Sequence, residues 1–352
     1  MRRSTKFAAV LTAGILSLAL TACGGSDNKS ANEPSGSATG GKSDIKVGMA
    51  YDIGGRGDQS FNDMAATGLD KAKSEFGIKT SESEATPDEA ESAKEDRLIQ
   101  LADGGYNPVI AVGFAYSEAV GKVAKQYPKI QFAIIDDTAN TDANVTNLVF
   151  AEEQGSFLVG AAAALKSKTG HIGFVGGVNV PLINKFEAGY DAGAKAVNPN
   201  IKIESQYLTQ PPDFTGFNDP GKGKTAAGGE FDAGADVVYH AAGGSGLGVF
   251  QAAKAAKGLA IGVDSDQYKT ASADLQPFIL TSMIKHVDVA VYSMIKSFVD
   301  GKPLTGTQTF DLKVGGVDYS TSGGQVDDIK SKLDDYKKQI IDGTIKVPTT
   351  VK

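Results

Sequence analysis

Residues 45–62 read IKVGMAYDIGGRGDQSFN, and no other stretch says as much about how the chain folds. Residues 45–51 have the apolar composition of a buried strand, and apolar residues at helical spacing predict a helix over Phe61–Phe76. The glycine-rich residues between them predict a turn. Ser60 and Asp63 have the spacing of a capping box, in which the Ser60 hydroxyl would bind a free backbone N–H at the helix start.

The strand–turn–helix pattern recurs along the chain. Further strands are predicted at residues 109–112 and 132–135, and the pattern begins again with strands at 171–175, 201–208, 236–240 and 260–263. Three stretches are less regular: a crossing segment at 279–282, a polar hairpin-like stretch at 307–319, and a glycine- and lysine-rich, insertion-like loop at 211–229. Apolar strands that alternate with helices predict parallel sheets covered on both faces, here in two successive α/β lobes.

The two lobes share an internal spacing. Phe61 lies nine residues after Asp52, Phe186 lies nine residues after Gly177, and a glycine follows each phenylalanine seven residues later. Ligands of open parallel sheets bind beyond the carboxyl ends of the strands. Two facing lobes would therefore hold a flat ring between Phe61 and Phe186, as aromatic side chains hold nucleic-acid bases. The alternative is that both phenylalanines are core residues that hold helix to sheet.

The N-terminus has the pattern of a secretory signal. A basic start over residues 2–6 precedes an apolar run over residues 7–20, and Thr21 and Ala22 lead to Cys23, the only cysteine of the chain. The apolar run is shorter than the ~20 residues that span a bilayer. A cysteine at the cleavage point resembles the bacterial lipobox, which implies a signal peptide over residues 1–22 and lipid attachment at Cys23. Residues 23–43 are rich in Gly and Ser and are predicted to form a flexible tether.

Charge and cysteine content limit the possible functions. The chain carries a formal net charge of -7, and removal of residues 1–22 would leave 32 Lys+Arg against 42 Asp+Glu. Nucleic-acid binding relies on clustered Lys and Arg, so we expect no nucleic-acid partner. Because no cysteine follows Cys23, the body has to be held together by its core rather than by disulfides.

Several motifs together resemble the basic membrane protein family of substrate-binding lipoproteins, which includes purine-nucleoside receptors. These motifs are residues 52–62 (DIGGRGDQSFN), 132–136 (FAIID), 153–158 (EQGSFL), 186–190 (FEAGY), 262–267 (GVDSDQ) and 281–285 (TSMIK). The resemblance covers nearly the whole body. It implies an α/β chain with the type I periplasmic-binding-protein fold, in which two doubly wound parallel-sheet lobes enclose a ligand cleft. The first lobe would hold residues 44–150 and about 285–306, and the second would hold residues 151–284 and about 307–352.

The resemblance also implies a function. The protein would capture a nucleoside, with a purine base favoured, at the outer face of the cell membrane and deliver it to an ABC permease and ATPase. Within the cleft, Asp52 and Asn62 would line the first lobe, and Phe61 and Phe186 would stack on the base. Asp136 would accept hydrogen bonds from the purine edge.

Other cleft roles follow from the same resemblance. Asp137 is an alternative to Asp136 for the purine edge. Asp264 would accept the ribose hydroxyls, with Asp266 as its competitor, since one carboxylate accepts two donors. Lys285 would donate to ribose oxygens and balance Asp264.

In the glycine turn over residues 243–246, Gly243, Gly244 and Gly246 would bring backbone N–H groups close to the sugar. Ser245 interrupts the glycines of this turn.

Other classes of function have weaker support. The turn at 243–246 does not complete a dinucleotide-binding Gly-x-Gly-x-x-Gly, and Gly223 replaces the Ser or Thr that a phosphate-binding loop needs. The three histidines show no metal-ligand spacing, so we expect no enzyme, no metal and no cofactor. A signalling lipoprotein or a sugar receptor of the same fold stays open. Sugar sites usually stack on Trp, and the chain has none.

Overall fold

The structure is a computed structural model that describes residues 44–87 and 89–351. The predicted signal peptide, the lipidation site Cys23 and the tether lie outside these residues. The described residues form two α/β lobes, each built on a six-stranded sheet. The predicted α/β fold of two parallel-sheet lobes is thereby confirmed.

The first sheet is parallel throughout. Its strand order is β11-β5-β4-β3-β1-β2, with bounds β1 (Lys46–Tyr51), β2 (Lys79–Glu84), β3 (Val109–Ala111), β4 (Phe132–Ile135), β5 (Val145–Phe150) and β11 (Gly306–Phe310). The apolar β3 and β4 are fully buried, as expected of central strands with helices on both faces. The polar β2 forms one edge of the sheet.

The second sheet repeats this arrangement. Its order is β12-β10-β9-β8-β6-β7, with bounds β6 (His171–Val178), β7 (Lys202–Thr209), β8 (Val237–Ala241), β9 (Leu259–Asp264), β10 (Ile279–Lys285) and β12 (Val317–Tyr319). Only β12 runs antiparallel, against β10. Strands β1 to β5 of the first sheet therefore correspond to β6 to β10 of the second, and the carboxyl end of each strand has a counterpart in the other lobe.

In the described part of the chain, ten α-helices connect and cover the strands. Their bounds are α1 (Phe61–Phe76), α2 (Glu91–Asp103), α3 (Ser117–Gln126), α4 (Glu152–Lys166), α5 (Pro181–Val197), α6 (Pro220–Asp232), α7 (Gly246–Ala256), α8 (Gln267–Thr270), α9 (Val287–Val299) and α10 (Lys330–Ile341). Helix α9 follows a strand of the second sheet but packs against α1 of the first lobe. No helix in the described part of the chain is long and apolar enough to cross a membrane.

The glycines of the internal repeat permit close helix packing in both lobes. A Cβ on Gly68 of α1 would lie 2.4 Å from the Asp288 carbonyl oxygen on α9. A Cβ on Gly193 of α5 would lie 1.9 Å from the Phe157 carbonyl oxygen on α4. Both distances are too short for a side chain, so each repeat glycine lets two helix backbones approach beside the strand layer. The same spacing recurs because each lobe needs a glycine where two helix backbones come into contact.

The structure corrects four predictions about segments. Residues 307–319 do not form a hairpin, because β11 pairs with β5 in the first sheet and β12 pairs with β10 in the second. The predicted assignment of residues from about 307 to the second lobe therefore fails for β11. The crossing segment at 279–282 is part of strand β10, whose pairing with β9 shifts register between Ile279 and Thr281. Residues 211–229 are not one loop, since α6 begins at Pro220 and its Asp219 carboxylate caps the Lys222 N–H.

Candidate functional site

A cavity lies between the lobes, at the carboxyl ends of both sheets. Its empty space is about 560 Å³, which includes solvent at the mouth and lies within the ~300–1,000 Å³ usual for small-molecule sites. Both lobes line it: Asp52, Ile53, Asp58, Phe61, Asn62, Gly113, Phe114 and Asp136 from the first, and Leu182, Ile183, Phe186, Phe217, Ala241, Gly243, Val263, Asp264 and Lys285 from the second. Seven of the eight residues predicted to bind the ligand are therefore brought together.

Phe61 and Phe186 both line this cavity, one from each lobe. Phe61 is the first residue of α1, and Phe186 lies in the second turn of α5. The Lys285 ammonium lies 5.2 Å from the Phe61 ring centroid and 5.5 Å from the Phe186 ring centroid. The two rings therefore flank a common point. Phe186 is also packed in the core, so the cleft and core interpretations both describe part of its environment.

Two aspartates occupy corresponding positions in the two lobes. Asp136 directly follows β4, and Asp264 ends β9, the strand that corresponds to β4. Both have left-handed backbones, with φ of 68° and 63°. Such conformations are costly for residues other than glycine and concentrate at functional sites. Phe61 and Asp136 of the first lobe thus have matching partners in Phe186 and Asp264 of the second lobe, a symmetry that extends the repeat seen in the sequence.

Lys285 is the centre of a buried charge cluster. Its Nζ donates to Asp136 Oδ2 at 2.6 Å and lies 3.1 Å from Glu152 Oε1, and all three side chains are almost inaccessible to solvent. Burial opposes the charge on Lys285, but the carboxylates of Asp136, Glu152 and Asp264 raise its pKa overall. The Lys285 charge also acts on Asp264, in keeping with the predicted balance of charge, but it does so without a direct ion pair. Its direct partners are Asp136 and Glu152, and sequence reasoning missed Glu152.

Asp136 keeps one free acceptor. Its Oδ1 atom is buried and has no hydrogen-bond partner among the described residues. Burial raises the pKa of Asp136 to about 6, although the Lys285 charge opposes the shift. Its neighbour Asp137 instead binds the Asn140 side chain and the Ala139 N–H. Of these two candidates, Asp136 is the one that lines the cavity.

Asp264 is held by the opposite lobe. The Ser60 hydroxyl donates to Asp264 Oδ2 at 2.5 Å. Burial raises the pKa of Asp264 to about 7, with Lys285 and the Ser60 hydrogen bond acting in the other direction. The competitor Asp266 lies outside the cavity lining, where Ser322 and Lys269 bind its carboxylate.

The start of α1 is capped differently from the prediction. The Ser60 side chain makes no capping hydrogen bond. Asp58 accepts the backbone N–H groups of Ser60, Asn62 and Asp63 at 2.8–3.1 Å and so satisfies the free donors of the first turn. The Asn62 side chain then accepts the Asp52 N–H at 3.2 Å, and burial raises the pKa of the Asp52 carboxyl to about 6. These contacts fix the cleft-lining loop.

The glycine turn contributes one of its three predicted glycines to the described cavity lining. Gly243, with φ of 53°, lines the cavity, whereas Gly244 lines a neighbouring groove and does not contact the main cavity. Ser245 has a structural role, because its hydroxyl donates to the Gly216 carbonyl and accepts the Asp219 N–H. The turn therefore also fixes the segment that carries Phe217.

Sequence reasoning missed two aromatic residues of the cavity, Phe114 and Phe217. Their rings meet edge to face across the lobes with centroids 6.4 Å apart, and Phe214 contacts Phe114 in the same way at 5.7 Å. Phe114 and Phe217 lie in short 3-10 turns, at Phe114–Tyr116 and Thr215–Phe217. Such turns have no periodicity from which a cavity-facing residue could be identified. The contacts place the two lobes against each other on this side of the cavity.

This geometry suits an uncharged, partly flat ligand. Two aromatic faces can hold a planar ring, and the carboxylates can accept donors from its edge and from hydroxyl groups. Four aspartates line the cavity (Asp52, Asp58, Asp136 and Asp264), and Lys285 is the only basic residue of the described lining. An anionic ligand would meet net repulsion at such a site.

Comparison with known proteins identifies the family. Residues 45–351 match the family described as Bmp, ABC transporter substrate-binding protein PnrA-like. The chain is 37% identical to the CD4+ T-cell-stimulating antigen of Listeria innocua over 96% of each chain. It is also 37% identical to the ABC transporter nucleoside-binding protein BmpA of Lactococcus lactis subsp. cremoris, over 88% of this chain and 90% of the relative.

A solved structure supports the same assignment. An ABC transporter solute-binding protein from Aeropyrum pernix K1 matches with a TM-score of 0.75 and 30% identity, over 88% of this chain and 94% of that chain. The predicted periplasmic-binding-protein fold is thereby confirmed. The family consists of binding components of ABC transporters, not of enzymes. The chain thus belongs to the Bmp family of PnrA-like ABC transporter substrate-binding proteins.

Proposed function

We propose that this protein captures a nucleoside, with a purine base preferred, and delivers it to its ABC importer. The observation that carries the proposal is the placement of Phe61 and Phe186 on opposite lobes of one cavity, both close to Lys285. Stacking on aromatic side chains contributes about 1–3 kcal/mol per base. The nucleoside-binding relative from Lactococcus lactis supports the same ligand class.

Polar groups around the two rings would orient the ligand. The unpaired Asp136 Oδ1 would accept a hydrogen bond from the edge of the base, and Asp264 would accept ribose hydroxyls. Lys285 would donate to ribose oxygens, and Asp52 and Asn62 would complete the wall of the first lobe. Because aspartates outnumber basic residues in the lining, a nucleoside is favoured over a nucleotide.

Binding would operate as a hinged clamp. The ligand contacts both lobes only when they are closed, so its binding free energy favours the closed form. The permease would then recognise the closed protein.

The N-terminal sequence supports anchoring through lipid at Cys23. Cleavage before this residue would leave residues 23–43 as a tether of polar and small residues between the lipid and the body. One acyl chain gives only marginal binding, so stable attachment requires more than one. The receptor would then stay at the outer face of the cell membrane, next to its permease.

A ligand screen tests the proposal. Thermal-shift measurements on the full chain in detergent would compare nucleosides with free bases, sugars and nucleotides, followed by calorimetry of the hits. We expect stabilisation by inosine, adenosine or guanosine that exceeds the effect of cytidine or uridine, and little effect from ribose or from inosine monophosphate. Stabilisation by a sugar and not by any nucleoside would contradict the proposal.

A further inference from the structure

The loop between β1 and α1 contacts the second lobe outside the ligand cavity. Gln59, the residue before Ser60, has a left-handed backbone with φ of 54°, which few residues other than glycine adopt. Its N–H is held by Asp63 Oδ2 at 2.9 Å. Its carbonyl oxygen accepts two hydrogen bonds from the second lobe, from Ser265 Oγ at 2.6 Å and from Gln267 Nε2 at 3.1 Å. A strained loop residue thus gives one acceptor to two donors of the other lobe.

Gln267 is held rigidly within its own lobe. Its Oε1 accepts the Val263 N–H at 2.9 Å and lies 3.0 Å from His240 Nε2, and its backbone N–H donates to Ser282 Oγ at 3.2 Å. Burial lowers the pKa of His240 to about 4, so the ring is neutral near pH 7 and can donate from Nε2. With Oε1 fixed in this way, the amide NH₂ of Gln267 can only point toward Gln59.

We propose that the Gln59 carbonyl, the Ser265 hydroxyl and the Gln267 amide form a latch that holds the closed lobes together without touching the ligand. None of the three residues lines the cavity, and both donors are buried. The three residues come from the loop after β1 and from the segment that follows β9, so their hydrogen bonds break when the lobes separate. Ser265 and Gln267 are therefore positioning residues for ligand retention.

The latch sets affinity by changing the closing equilibrium. In the proposed clamp the ligand enters the open form and the lobes then close on it, so the apparent affinity rises with the fraction of ligand-bound protein that is closed. Hydrogen bonds made only in the closed form raise this closed fraction and slow ligand release. The inference rests on the proposed closure around a nucleoside, but the latch itself does not depend on which ligand is bound.

Two variants test the latch on the full chain, with inosine as the probe. Ser265→Ala removes one donor. Gln267→Glu keeps the acceptor for Val263 and His240 but loses the NH₂ group that faces Gln59. Ser156→Ala is the matched control, because its buried hydroxyl contacts Tyr239 within one lobe.

Each latch variant should bind inosine about threefold to tenfold more weakly, as expected for one lost hydrogen bond. The dissociation rate should rise by the same factor while the association rate stays unchanged, which a loss of folding would not produce. An affinity equal to that of Ser156→Ala, or a loss confined to the association rate, would overturn the inference.

A ligand-free measurement separates this inference from the proposed function. Spin labels at Lys125→Cys and Lys224→Cys, exposed positions on different lobes, report the lobe separation. If the wild-type protein binds no nucleoside, the proposed function fails, and the latch is then decided by these distances. A larger open fraction in Ser265→Ala and Gln267→Glu than in Ser156→Ala supports the latch, and identical distributions refute it.

Discussion

Replacing Phe186 with leucine should weaken nucleoside binding strongly with little effect on folding. The Phe186 side chain is 3% exposed and lines the cavity opposite Phe61. Leucine keeps most of the apolar burial but has no flat face, so the loss falls on stacking. Stacking of about 1–3 kcal/mol per ring corresponds to roughly fivefold to 150-fold in affinity, and we expect at least a tenfold increase in Kd.

Phe157→Leu provides the matched control. Phe157 is also 3% exposed and lies on a helix of the same lobe, but it packs against Tyr336 and does not line the cavity. Apolar swaps of similar volume usually cost less than about 1.5 kcal/mol, so both variants should lose a similar amount of thermal stability. Calorimetry with inosine then separates them. If Phe186→Leu binds as tightly as the wild type, or if Phe157→Leu weakens binding equally, the stacking argument is wrong.

Three further outcomes follow from the buried charges. Burial raises the pKa of Asp264 to about 7, so inosine affinity should fall as pH drops below 7, by up to about tenfold per pH unit. Calorimetry between pH 5.5 and 8 checks this. An equal dependence of affinity on pH in Asp264→Asn would assign the effect to another group. Lys285→Met leaves Asp136 and Glu152 without their buried cation and should lower the free energy of unfolding by about 3–5 kcal/mol. The control Lys254→Met removes the exposed pair with Asp274 and should cost less than about 1 kcal/mol. Equal denaturation midpoints for the two variants would contradict this. Burial raises the pKa of Glu230 from 4.5 to about 9, so the folded state holds the Glu230 proton more tightly than the unfolded state does. The free energy of unfolding should therefore fall as pH rises from 4.5 to 9, and Glu230→Gln should remove that loss. Parallel stability–pH curves for the variant and the wild type would refute the assignment.

The sequence predicted the parts of the fold that follow from apolar patterning. Continuous apolar runs identified the central strands β1, β3 and β4 and their counterparts β6, β8 and β9. The edge strand β2 was missed because it consists only of charged and hydroxyl residues, none of them buried, and so resembles a loop. Strand β11 was placed in the wrong lobe, because a polar strand carries no signal for which sheet it joins.

The site was predictable to a similar degree. Phe61, Phe186, Asp52 and Asn62 were found because they lie at fixed distances from strand ends or within motifs that resemble a known family. Glu152 was not found, because it reaches Lys285 only through the packing of α4 against β10. Of the predicted Gly243, Gly244 and Gly246, only Gly243 belongs to the described cavity lining, because spacing alone cannot tell which glycine of a turn faces inward.

The sequence alone shows that two similar halves exist, that each places a phenylalanine in the helix after its first strand, and that a lone cysteine follows a signal-like segment. These features depend on local periodicity and spacing, which a linear chain carries in full. Three features are visible only in the folded molecule: which carboxylates pair with Lys285, the matching strand ends of Asp136 and Asp264, and the reach of Ser60 to Asp264 instead of to its own helix. Those contacts join residues up to about two hundred positions apart, and partner choice at such separation is set by how the sheets and helices pack.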